Sequence, residues 1–76
     1  MSKELQETLV NLIEGLKAEI NEINEDIDRL SYRANTTKNV KELDAISKEL
    51  EELNEELRED LHELKTLIKR YKKVSK

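Results

Sequence analysis

No cysteine occurs among the 76 residues, so a disulfide framework, a thiolate zinc site and a cysteine nucleophile are all excluded. There is no proline and one glycine, which leaves little material for turn-rich or sheet folds. Aromatic residues make up 3% of the chain, so base stacking has no platform here. The single histidine, His62, offers little to a metal. No uninterrupted apolar run approaches the roughly 18 residues of a membrane span, and MSKELQETLV lacks the apolar core of a secretory signal. No membrane partner is expected, and a cytoplasmic location follows as the expectation.

What the chain does contain is charge, at 42% of residues, with 36% apolar residues placed among them at helical spacing. Fourteen Lys and Arg against eighteen Asp and Glu give a net charge of −4, a balance that does not select nucleic acid. From Leu9 the large apolar residues recur every 3 or 4 positions. Written as a seven-residue repeat, Ile13, Ile20, Ile27 and Ala34 take position a, and Leu9, Leu16, Ile23 and Leu30 take position d. Ser2 is placed to cap this first helix, with Glu4 and Glu7 complementing its dipole. Gly15 falls on the outside at c, where it costs about 1 kcal/mol relative to alanine.

Carried further, the same repeat would put Thr37, Lys41 and Asp44 into the seam, so the first helix must end before them. Asn35, Thr36, Thr37, Lys38 and Asn39 combine β-branched residues with asparagines that tolerate left-handed backbone, and Asn39 with Glu42 resembles a capping box. The reading is a single domain over residues 1–76: a first helix over about 3–34, a turn over about 35–39, a second helix over about 40–73 and a basic end over 65–76. The fold class is all-α, an antiparallel, coiled-coil-like two-helix hairpin.

The second stripe runs through Leu43, Ile46, Leu50, Leu53 and Leu57, then takes a step of 4 where 3 is due and resumes as Leu61, Leu64, Ile68 and Tyr71, an inserted residue or stutter. The hairpin seam is therefore expected from Ile13, Ile20, Ile23, Ile27 and Leu30 against Leu43, Ile46, Leu50, Leu53 and Leu57. Folding at the turn sets Leu30 near Leu43, Ile23 near Leu50, Leu16 near Leu57 and Leu9 near Leu64. Toward the open end the stripe widens to Leu5, Leu9, Val10, Leu12 and Leu16 on the first helix, and to Leu61, Leu64, Leu67, Ile68 and Tyr71 on the second. Two helices cannot cover that width, and domains this small commonly gain burial by oligomerising. A homodimer packed as a four-helix bundle is the expectation, with this open-end group as the dimer or partner interface.

The remaining features are weighed by position. Glu59 and His62 have the Glu-x-x-His spacing of bundle metal sites, but the seam assigns them to the outer face, so no metal, no cofactor and no catalytic residue is assigned. Lys65, Lys69, Arg70, Lys72, Lys73 and Lys76 complement a helix C-terminus, and nucleic acid is not an expected partner. Eight acidic residues lie between Glu49 and Glu63 with Arg58 alone opposing them, which permits an acidic inhibitor that imitates a nucleic-acid backbone.

The segment Ser47, Lys48, Glu49, Leu50, Glu51 resembles the Ser-Gln-Glu-Leu-Asp signature of the helical-hairpin aspartyl-phosphate phosphatases that regulate sporulation, with Lys48 in place of Gln and Glu51 in place of Asp. The resemblance implies a two-helix hairpin with the signature on its second helix, and a phosphatase as one alternative function. The preferred function is non-enzymatic: an adaptor, inhibitor or scaffold that binds itself and another protein through an amphipathic hairpin. Small regulators of bacteria and their phages are often built this way, and such a source is expected by that association.

Overall fold

The computed structural model describes residues 2–75; the Ser2 side chain, expected as the first cap, lies outside the described residues, as do Met1 and Lys76. Two α-helices, α1 (Ser2–Thr36) and α2 (Val40–Val74), pack against each other as an antiparallel hairpin, with no strand among the described residues. The long axis is 58 Å, close to the ~52 Å that 35 helical residues span at 1.5 Å each and far short of a straight rod.

The break between the helices is three residues, Thr37, Lys38 and Asn39, rather than the five expected. Asn35 and Thr36 remain helical: the Thr37 amide donates to the Arg33 carbonyl at 2.9 Å and completes the last turn, and the Thr36 hydroxyl lies 3.1 and 3.2 Å from the Tyr32 and Arg33 carbonyls, to which it donates. The left-handed conformation is not used: no described non-glycine residue has positive φ, and Asn39 is extended at φ −84° and ψ 116°. Asn39 caps α2, its side-chain oxygen accepting from the Lys41 and Glu42 amides at 3.0 and 3.3 Å. The reciprocal half of a capping box is missing. Glu42 instead accepts from the Arg33 guanidinium at 2.9 Å and from the Thr37 hydroxyl at 3.1 Å, tying the end of α1 to the start of α2. The Asn39 amide donates to Thr37 Oγ1 at 3.3 Å.

With the turn centred on Lys38, the two 35-residue helices run back along each other to the open end, joined at the turn by the Arg33–Glu42 ion pair. Every d position of α1 is buried, namely Leu9, Leu16, Ile23 and Leu30, together with Ile13; Ile20, Ile27 and Ala34 are half-buried.

On α2 the inward positions continue without an insertion: Ile46, Leu50, Leu53, Leu57, Asp60, Leu64, Leu67, Tyr71 and Val74, all buried or half-buried. The stutter expected at Leu57 is absent. Asp60, not Leu61, occupies the inward place, and Leu61 is 44% exposed on the flank. Two helices that wind slightly about each other along their whole length keep one seam at a 3.5-residue repeat, and apolarity at one flanking position does not rotate the helix. Leu43, at the first turn of α2, is 37% exposed.

Candidate interaction surfaces

The unbroken repeat sorts the rest of the surface into two sides. Positions a and d face the seam; e and then b lie beside a, whereas g and then c lie beside d. Antiparallel packing sets e against e and g against g. On the g side stand Leu5, Leu12, Glu19, Asp26 and Arg33 of α1 with Glu42, Glu49, Glu56, Glu63 and Arg70 of α2. On the e side stand Lys3, Val10, Lys17, Asn24 and Ser31 of α1 with Val40, Ser47, Asn54, Leu61 and Ile68 of α2, and Ser75 just beyond it.

The g side is acidic. Near the turn it forms an open groove lined by Asp26, Arg29, Leu30, Arg33, Glu49, Glu52, Leu53, Glu55, Glu56 and Glu59. Arg29 pairs with Asp26 at 2.6 Å and Arg33 with Glu42, which leaves the carboxylates of the α2 wall without a cation in an ion pair. Hydrogen bonds from Arg33 and then Thr37 hold the Glu42 carboxyl below its ordinary range. Midway along, Glu19 is pushed above its ordinary range by the charge of Asp60, with partial burial, Glu56, Glu63 and Glu22 adding in the same direction. Asp60 itself has one carboxylate oxygen, Oδ2, shut off from solvent with no hydrogen-bond partner. Among the described residues neither Glu19 nor Asp60 forms an ion pair, and the nearby Lys17 pairs with Glu14 at 4.0 Å instead.

The e side carries two charges, both basic, Lys3 and Lys17, at these eleven positions. Three of its apolar members, Val10, Leu61 and Ile68, gather in the open half, whereas Asn24, Asn54, Ser31 and Ser47 occupy the turn half with Val40 at the turn itself. Shallow depressions follow this side, one lined by Glu14, Lys17, Ala18, Ile20, Asn21 and Asn24 and another by Lys3, Gln6, Glu7, Val10, Asn11 and Tyr71.

The open-end residues expected to form one broad patch are thus divided three ways. Leu9, Leu16, Leu64, Leu67 and Tyr71 belong to the seam; Leu5 and Leu12 stand on the g side; Val10, Leu61 and Ile68 stand on the e side. Comparison with known protein families, curated proteins and solved structures finds no match for this chain. Its surfaces must speak for themselves.

Glu59 and His62 are both exposed, and in the continued repeat His62 falls at f, the outermost position. Among the described residues no group of three or more His, Cys, Asp or Glu is placed to hold a metal ion. The basic residues Lys65, Lys69, Arg70, Lys72 and Lys73 take positions b, f, g, b and c, so they encircle α2 instead of forming one face. Within the phosphatase-like segment, Ser47 lies on the e side and Glu49 on the g side, with Leu50 in the seam between them. No described helix is long and apolar enough to cross a membrane.

Asp60 is the residue that pattern reading missed. Its signal was present in the spacing, since a strict alternation of 3 and 4 from Leu57 lands on Asp60.

Proposed function

We propose that this protein is a non-enzymatic interaction module, an adaptor, inhibitor or scaffold acting in the cytoplasm, whose hairpin associates with itself into a four-helix bundle and presents its other side to a second protein. The observation that carries the reading is the exposure of large apolar side chains in the open half: Leu12 is 53% exposed, Leu5 49%, Leu61 44% and Val10 39%. No described side chain is less than 2% exposed, so the lone hairpin lacks a fully dry core. Fully covering one Leu is worth about 1.5–3 kcal/mol, and a few such side chains match the net stability of a small domain. Light scattering across a concentration series tests this: a mass rising to twice the 9.0 kDa of one chain supports self-association, and a constant 9.0 kDa removes it.

A second reading, an acidic inhibitor that occupies the basic groove of a nucleic-acid-binding protein, is favoured by the carboxylate-lined groove on the g side. Pull-down from the native host discriminates the two. Recovery of nucleic-acid-binding proteins by the native chain, but not by a Glu49→Gln, Glu52→Gln, Glu56→Gln variant, supports mimicry; recovery by neither leaves the interaction module alone. The phosphatase alternative rests on the Ser47–Glu51 resemblance alone, and a phosphorylated response regulator left intact by the protein disposes of it.

A further inference from the structure

The geometry points to the e side as the face covered by a second copy of this chain, packed with both turns at the same end of the bundle. This rests on the self-associating reading above and adds to it the face and the orientation.

Charge selects the side. Two copies meeting through their g sides would bring Glu19, Glu49 and Glu56 of each against the same carboxylates of the other, where Glu19 is already crowded by Asp60. The e side offers only Lys3 and Lys17 among its described charged residues, and its serines and asparagines are short enough for close approach. A face two helices wide along a 58 Å hairpin is on the scale of the ~800 Å² that a standard specific interface takes from each partner.

The grading of that side selects the orientation. A two-fold axis along the hairpin brings each level of one copy against the same level of the other. The apolar group Val10, Leu61 and Ile68 of one copy then meets the same group of the other, with Val10 on α1 beside Ile68 on the second copy's α2. Packing with turns at opposite ends would instead set them against Ser31 and Ser47, leaving hydroxyls to be dried without partners. The same axis lays α1 of one copy beside α2 of the other. Glu7 and Glu14, at the b positions of the open half, then face Lys65, Lys72 and Arg58 at matching levels. At the turn end Asp28 of one copy approaches Asp44 and Glu51 of the other and is repelled, which makes the open half the anchor of the interface.

Because the chain has no cysteine, a single nitroxide can be placed by Lys38→Cys, and pulsed dipolar spectroscopy combined with light scattering tests the arrangement. Same-end packing yields a dimer with the two turn labels within about 30 Å, the span of two neighbouring hairpins with their label arms. A dimer with labels near the 58 Å length of the hairpin overturns the orientation while self-association stands. Leu61→Glu, or Val10→Lys should the first variant lose helicity, is expected to return the protein to monomer with its helical circular dichroism intact, and Leu12→Glu on the g side to leave it dimeric. Dissociation by Leu12→Glu and not by the e-side variants overturns the face. A native chain that is monomeric throughout overturns this proposal and the self-association reading together.

Discussion

Replacing Asp60 by leucine should make the protein more stable, against the usual outcome of altering an inward position. Asp60 holds a half-buried seam position, one of its oxygens is shielded from solvent and unbonded, and Glu19 lies close enough for its ionisation to be disfavoured by Asp60. Leucine at a half-buried position gains about half of the 1.5–3 kcal/mol of full burial, roughly 1 kcal/mol. Removing a shielded oxygen without a partner relieves a further ~1–3 kcal/mol. A net gain of about 2–4 kcal/mol in a domain of this size raises the melting temperature by on the order of 10–20 °C. Thermal unfolding followed by circular dichroism at one fixed protein concentration and pH 7 measures it. Asp60→Asn, which removes the charge and keeps the shape, should give a smaller rise. An unchanged or lower melting temperature for the leucine variant would refute the assignment of Asp60 to the seam and restore the inserted residue at Leu57.

Four further outcomes are expected. Glu19 has a folded-state pKa above its ordinary 4.5, so its ionisation opposes folding at neutral pH and the opposition fades as pH falls through the folded value; Glu19→Gln should raise the melting temperature at pH 7 and leave it unchanged well below pH 4.5. Glu42 has the opposite sign: its stabilising contribution is complete above 4.5 and is lost as pH falls through its lowered folded value, so Glu42→Gln should lower the melting temperature at pH 7 and lose that effect in acid. Asn39→Ala removes the cap that receives two amides at the start of α2 and should cost about 1 kcal/mol in urea unfolding. Gly15→Ala adds a Cβ with no heavy atom within 4 Å outside its own helix and should stabilise by ~1 kcal/mol, with the oligomeric mass unchanged because c lies away from the e side.

The heptad spacing of α1 made its seam legible: Leu9, Ile13, Leu16, Ile23 and Leu30 are buried, as a one-stripe helix against one neighbour requires. The reversal near Asn39 was legible for the same reason, since a continued helix would have driven Lys41 and Asp44 into the stripe. The boundaries were not. Thr36 and Asn35 disfavour helices intrinsically, yet the backbone bond from the Thr37 amide to the Arg33 carbonyl carries the helix through them. At Leu61 the apolar pattern and the helical period disagreed, and the period prevailed. Along a seam held by many residues, realigning one helix for a single leucine would disturb the packing of its neighbours.

What the sequence determined by itself is the class of structure: two amphipathic helices of nearly equal length and a capped reversal, because periodicity, capping chemistry and the cost of burying charge are local properties of the chain. Only the tertiary structure decided which residues line the seam and which share a side. That choice depends on how α2 settles along α1, with Asp60 inward and Leu61 44% exposed, which puts Leu12 and Leu61 on opposite flanks. The acidic groove and the nearly uncharged face opposite are consequences of that alignment, since a helix presents its flanks only relative to the partner it packs against.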